Sequence, residues 1–185
     1  MPILDHSLKN TKYDFEGGCH PYKMSKVNLS LINFRSFSEE DLPFLYQVYR
    51  STRWEEMQLS GWTHEEIEDF LKIQFQLQHT QYLANYKNAS FDIILLESKP
   101  IGRLYIDRQK EEIRIMDIAL LDFYRKKGIG SKILKDLIAE SENKKMPITL
   151  HVEYNNPAKA FYLNLGFIQE KDLGVYHFMK RTPSS

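Results

Sequence analysis

Apolar and polar positions along the chain switch between two periods, and the switches mark out its elements. Asn28 to Phe37 nearly alternates, with Leu29, Leu31 and Phe37 set against Ser30, Asn33 and Ser36, and this predicts a first strand. Ser38-Glu39-Glu40-Asp41 has the form of a capping box. Leu42, Leu45, Tyr46 and Tyr49 then share a face, so a helix is expected to about Ser51. An aromatic connection holding Trp54 and Trp62 leads to a second capping box, Thr63-His64-Glu65-Glu66. The longer helix that follows, to about Tyr86, carries Ile67, Phe70, Leu71, Phe75, Gln78 and Tyr82 on one stripe. The polar and aromatic end of that stripe fits either a half-exposed core face or the wall of a cleft, and the core face is the commoner case.

Three strands are expected next, Phe91 to Leu96, Ile101 to Asp107 and Glu112 to Leu121. Short polar links, Glu97 to Pro100 and Arg108 to Glu111, make them an antiparallel meander. From Ser131 to Asn143 the period returns to helical, with Ile133, Leu134, Leu137 and Ile138 inward and Lys132, Lys135, Asp136 and Glu140 outward. Pro147 to Glu153 reads as a fifth strand and Asn156 to Leu165 as a short helix. Phe167 to Glu170 and Val175 to Met179 read as the last two strands. The order is β-α-α-β-β-β-α-β-α-β-β, which packs most simply as an α/β (α+β) fold: a mixed, mostly antiparallel seven-stranded sheet flanked by helices.

Composition narrows the picture. With 185 residues, 42% of them hydrophobic, the chain supports one substantial core, expected over residues 28–182. Residues 1–27, with Gly17-Gly18, Pro2 and Pro21 and no sustained period, read as a loosely held arm in which Met24 offers an alternative start. Twenty-five basic residues balance 25 acidic ones, so no global field draws in nucleic acid or an anionic membrane. Nucleic-acid binding through Arg125 to Lys127 would be weak and steeply salt-dependent. The single cysteine, Cys19, excludes an internal disulfide and a cysteine-built metal site and fits a reducing cytoplasm. The opening residues lack the apolar run of a signal peptide.

The chemistry is concentrated where a strand meets a helix, at Arg125-Lys126-Lys127-Gly128-Ile129-Gly130. Two glycines let the backbone turn tightly and approach a ligand closely, and the helix that begins there presents unpaired N–H groups and a positive dipole end. Three cations stand beside it, so a diphosphate is the natural guest; taken alone, the hexapeptide reads equally well as a Lys-rich surface loop before a helix with a glycine start. No Gly-Lys-Ser/Thr follows, and Ile133 stands where a dinucleotide fingerprint needs its third glycine, so neither a P-loop nor a Rossmann site is indicated.

Two separated stretches agree on one family. Arg125-x-x-Gly128-x-Gly130 resembles the acyl-CoA pyrophosphate loop of the GNAT superfamily of N-acetyltransferases. Asn155-Asn156-Pro157-Ala158-Lys159-Ala160-Phe161-Tyr162-Leu163-Asn164-Leu165-Gly166-Phe167 is similar to its N-x-x-A-x-x-x-Y-x-x-x-G-F signature. The resemblance covers roughly residues 28–180, and the element order matches that family's fold. The run from Trp62 to Phe91 is also similar to a bacterial branch whose substrates are undefined.

The resemblance implies acetyl transfer from acetyl-CoA to a primary amine, of a small molecule or a peptide, by direct attack in a ternary complex. Ile118, Ala119 and Leu120 would pair with the pantetheine arm. Arg125, Lys126, Lys127, Gly128, Ile129, Gly130 and Ser131 would form the phosphate cradle. Either Asn155 or Asn156 would contact the cofactor arm. Tyr162 would lie near the thioester sulfur as general acid, a role that suits a phenol held in an apolar cleft; outside that context it reads as a packing aromatic.

A base is also required, and Asp117, His151 and Glu153 are the candidates on the strands expected to line the cleft, each with an ordinary structural role as the alternative. His151, Glu153 and His64 lack metal-ligand spacing, and no metal is expected. The acceptor groove is expected from Tyr49 to Tyr86 and from the last hairpin near Tyr176 and His177. Trp54, Glu55, Glu56, Trp62, Glu65 and Glu66 suggest a cationic amine there. A C-terminal edge strand offers a route to a homodimer. An acyl-CoA-binding regulatory module without turnover is the alternative reading.

Overall fold

The computed structural model describes residues 27–184. The arm expected over 1–27, with Met24 and Cys19, lies outside the described residues apart from Val27. Seven strands form one sheet in the order β1-β2-β3-β4-β5-β7-β6, and only the β4–β5 pair is parallel. The strands are β1 (Ile32–Ser36), β2 (Ser90–Leu96), β3 (Lys99–Arg108), β4 (Ile113–Leu120), β5 (Ile148–Glu153), β6 (Ile168–Asp172) and β7 (Tyr176–Arg181). The helices are α1 (Leu42–Met57), α2 (His64–Asn85), α3 (Ile129–Lys144) and α4 (Ala158–Asn164). The expected element order is the observed one.

Side-chain alternation on the strands divides the core between two faces. Ile94, Leu104, Ile106, Ile113, Ile115, Ile148 and Leu150 pack with α3 and with Tyr162 and Phe167. Ile93 and Tyr105 pack with Leu45 and Tyr49 of α1 and Ile67, Leu71 and Phe75 of α2. The pair α1–α2 is further fixed by Glu68, whose carboxylate accepts from the Tyr46 hydroxyl at 2.8 Å and the Arg50 guanidinium at 2.7 Å. Among the described residues no helix is long and apolar enough to cross a membrane.

Several boundaries differ from expectation for local reasons. The first strand opens as a 3-10 turn over Leu29–Leu31, because the Asn28 side chain accepts from the Ser30 amide. Helix α1 runs on to Met57 instead of ending near Ser51. The Ser51 and Thr52 hydroxyls donate back to the carbonyls of Val48 and Tyr49, at 2.9 and 2.7 Å, and so remain compatible with the helix. The stop comes at Gly61, where φ is +79°. The link between β2 and β3 shrinks to Glu97-Ser98, with Glu97 in the left-handed region at φ +59°.

The feature that shapes the site is an opening in the sheet. Strands β4 and β5 pair only from Ile113, Arg114 and Ile115 to Ile148, Thr149 and Leu150. At that point β4 carries a bulge: Tyr105 faces Asp117 and Ile106 faces Ile115, leaving Met116 as the extra residue. A bulge bends its strand and increases the local twist. Beyond it β4 stays with β3 while β5 stays with β7, so the two diverge. Gly102 on β3 lets β4 lie close at its far end, where a Cβ would stand 2.3 Å from the Ala119 carbonyl oxygen.

Candidate active site

The divergence of β4 and β5 creates a cleft of about 570 Å³. Its floor and walls include Ile118 and Ala119 of β4, His151 and Glu153 of β5, and Asn156 and Tyr162 beside and on α4. Tyr49 and Arg53 of α1 and Gln78 and Tyr82 of α2 complete it. The cleft edge of β4 beyond Ile115 has no strand partner among the described residues. Backbone groups left unpaired in this way need a guest or water.

At one end of the cleft the chain turns from β4 into α3. A short 3-10 turn, Asp122–Tyr124, is followed by Lys126 at φ +58° and Gly128 at φ +83°. Gly128 is the helix N-cap, and its carbonyl accepts the first intrahelical bond from the Lys132 amide at 2.9 Å. The Ile129, Gly130 and Ser131 amides therefore precede the first intrahelical donor, the Lys132 N–H, and point ahead of the axis. A Cβ at Gly130 would meet nothing within 4 Å among the described residues, which leaves room for close approach of a ligand.

The sequence-selected residues divide by what they touch. Arg125 turns back into the protein: Nε donates to the Leu120 carbonyl at 2.8 Å, Nη2 to the Ser51 hydroxyl at 3.0 Å, and Nη1 pairs with Asp122 at 2.6 Å. It ties the loop to β4 and α1, and it occupies a carbonyl expected to serve the pantetheine arm. Ile118 and Ala119 remain as the open run of β4. The Lys127 ammonium lies 3.7 Å from the Phe123 ring centroid, and Lys126 is exposed. Asn156 lines the cleft, its side-chain oxygen accepting from the Ala158 amide at 2.9 Å, while Asn155 is exposed.

Tyr162 is 9% exposed and packs its ring against Phe161 and Phe167. Burial and the nearby Asp117 carboxylate push its phenol up to about 12. Two of the three candidate bases are held by arginines. Asp117 accepts from Arg103 Nη2 at 2.6 Å, and Glu153 is gripped bidentately by Arg53, at 2.8 Å through Nη1. The His151 ring lies tilted by 48° against Phe178, with centroids 5.2 Å apart, and forms no ion pair among the described residues. Partial burial, together with Arg114, lowers its pKa below the ordinary histidine value.

Other expectations need correction. Trp54, Glu55, Glu56, Trp62, Glu65 and Glu66 are not among the residues lining the cleft. Trp54 lies in α1 under the Arg50 guanidinium, 3.7 Å from its ring centroid, and Trp62 packs on Phe70. Glu66 closes the α2 capping box. Tyr176 does line the cleft, but His177 points into the core, 3% exposed. Sequence reasoning missed Arg53 and Arg103. Arg103 carried a signal, being a lone charge inside the apolar run Ile101 to Ile106, where an ion is retained only when paired.

Comparison with solved structures gives the same architecture. PaiA N-acetyltransferase from Thermoplasma acidophilum, in complex with coenzyme A, superposes with TM-score 0.61 at 22% identity over 82% of this chain and 98% of that one. An acetyltransferase from Thermus thermophilus gives 0.59 at 21% identity, covering 82% and 96%. The ribosomal-protein-S18-alanine N-acetyltransferase from Escherichia coli gives 0.57 at 18%, covering 83% and 97%. No curated protein matches in sequence. The model of the acetyltransferase (GNAT) family matches residues 46–167, from the middle of α1 through Phe167. The chain therefore belongs to the GNAT family of acetyltransferases, and it is an acyltransferase.

Proposed function

We propose that residues 28–182 form one cytoplasmic N-acetyltransferase domain that moves the acetyl group of acetyl-CoA to a primary amine by direct attack in a ternary complex. The observation that carries this reading is the opening between β4 and β5, with unpaired strand edge on one side and Tyr162 on the other. The residues present fit the co-substrate: amides of Ile129, Gly130 and Ser131 for the pyrophosphate, Ile118 and Ala119 for the pantetheine amides, Asn156 beside them. Acetyl-CoA supplies an activated acetyl carbon, which gains a bond to the amine nitrogen as the C–S bond breaks.

The amine reaches neutral solution as an ammonium and must lose a proton before its nitrogen bears a lone pair. Of the three candidate bases we assign this to His151, directly or through water, since Asp117 and Glu153 each hold an arginine. Tyr162 directs its hydroxyl to where thiolate charge develops. Burial keeps the Tyr162 phenol protonated, so it can donate to the developing thiolate. Its contribution is therefore a hydrogen bond to the thiolate, and the proton that ends on sulfur originates from the attacking nitrogen.

Calorimetric titration tests the cradle. Wild-type protein should bind CoA at least tenfold more tightly than pantetheine, which lacks the pyrophosphate, and Gly130→Glu should lose that difference. The substitution has room in the fold, so folded variant protein isolates the ligand effect. Equal binding of CoA by both proteins would overturn the cradle.

A further inference from the structure

The acceptor end of the cleft has a charge arrangement that selects among amines. Three arginines line the cleft, each with its own acid: Arg53 with Glu153, Arg103 with Asp117 and Arg114 with Glu112. Each of these carboxylates is already paired with an arginine, so a polycationic acceptor finds no free anion there. Arg103 has donors to spare. It is 3% exposed, and among the described residues only Nη2 has acceptors, Asp117 at 2.6 Å and the Gln78 side-chain oxygen at 3.3 Å. Its buried Nε has none. A guanidinium carries five N–H donors in a fixed plane, and a buried donor without a partner is costly. The Tyr49 ring stands 5.8 Å from the Arg103 guanidinium carbon, and Arg53 lines the same cleft.

We infer that the acceptor is a small amino acid, whose amine faces His151 and Tyr162 while its carboxylate is received between Arg103 and Arg53. This rests on the acetyl-transfer reading above and names its substrate class. A carboxylate accepts from Arg103 N–H groups that Asp117 and Gln78 leave open. The ring of Tyr82, on the same wall, adds apolar surface for a side chain. Peptide amines and diamines lack the carboxylate beside the reacting nitrogen.

The experiment uses matched sets: an α-amino acid, its primary amide and the decarboxylated amine, with apolar and aromatic side chains. Thiol release gives kcat/KM for each, and calorimetry gives its binding to the CoA-loaded protein. The free acid should exceed its amide at least tenfold in one or both readouts. Arg103→Gln, checked for folding by thermal melting and for CoA binding, should erase most of that preference; Arg103→Lys should restore part of it. Arg53→Gln removes the half-exposed partner without burying a lone charge and should reduce the preference several-fold. Intact CoA binding with acids bound and consumed no better than their amides would overturn the inference and leave acetyl transfer standing. Loss of CoA binding in the wild type would sink both.

Discussion

At the scale of single residues, the site sets two groups on opposite sides of neutrality. His151 is pushed below the ordinary histidine pKa by partial burial and by Arg114, so it is free to accept a proton at pH 7. Tyr162 is pushed up to about 12 by burial and Asp117, so it remains a hydrogen-bond donor well above pH 10. The pH profile of kcat/KM follows from these directions. Activity should fall on the acid side only below about pH 6.5, the ordinary histidine value. It should show no downturn from phenol ionisation up to pH 10. His151→Gln should remove the acid limb and lower the plateau about 100-fold, within the usual range for a proton-transfer group. Tyr162→Phe should lower kcat about tenfold or more at every pH and leave CoA affinity unchanged within threefold, as expected for a hydrogen bond that strengthens in the transition state. A Tyr162→Phe enzyme with full kcat would return that ring to a packing role.

At the scale of elements, order was legible and aim was not. Period-two alternation and short polar links identified the meander from Ser90 to Leu120, and the capping boxes at Ser38 and Thr63 located the starts of α1 and α2. The tight turn into α3 was legible because its two glycines and its helix start are local. The opening between β4 and β5 was not. It depends on Met116 being an extra residue relative to β3, a pairing between distant segments that periodicity does not encode. Arg125 misled for a related reason: its side chain could be located along the chain but not aimed, and it turned toward Leu120 and Ser51.

The join between β1 and α1 illustrates the same point and carries a prediction. Arg35 of β1 grips Asp41 at 2.6 and 2.7 Å, and the Ser38 amide donates to the same carboxylate. Together they hold Asp41 down at about 2, from an ordinary value near 4. A depressed acid contributes stability that is present above its unfolded pKa and is lost as pH falls through the folded one. Stability should therefore fall between about pH 4 and pH 2. Asp41→Asn should flatten that part of the curve in urea melts taken at several pH values, and it should lower stability at pH 7. An unchanged slope would mean that other carboxylates, Glu140 foremost, account for acid unfolding.

At the scale of the whole molecule, the sheet consists of two paired groups joined by three residues of parallel ladder. Strands β1 to β4 form one group and β5, β7 and β6 the other; α3 runs between β4 and β5 in the chain and packs beneath both. The proposed site for acetyl-CoA lies in the opening just beyond that ladder, so a ligand bonded to the β4 edge and packed against α4 would extend the joint between the groups. Its effect should then exceed a local one. At 100 times its dissociation constant, any ligand of the native state adds about 2.7 kcal/mol. For a chain of this length each kcal/mol raises the melting temperature by about 2–4 °C, so CoA should raise it by roughly 5–10 °C. Hydrogen exchange locates the gain. Protection should appear at amides between Met116 and Leu120 as well as at Gly130 and Ser131, and it should spread to β5, whose opening depends on the same joint. Pantetheine at matched saturation should protect β4 without protecting the α3 N-terminus. A full thermal shift with protection confined to the α3 N-terminus would mean that the pyrophosphate alone is held, and the opening between β4 and β5 would lose its proposed occupant.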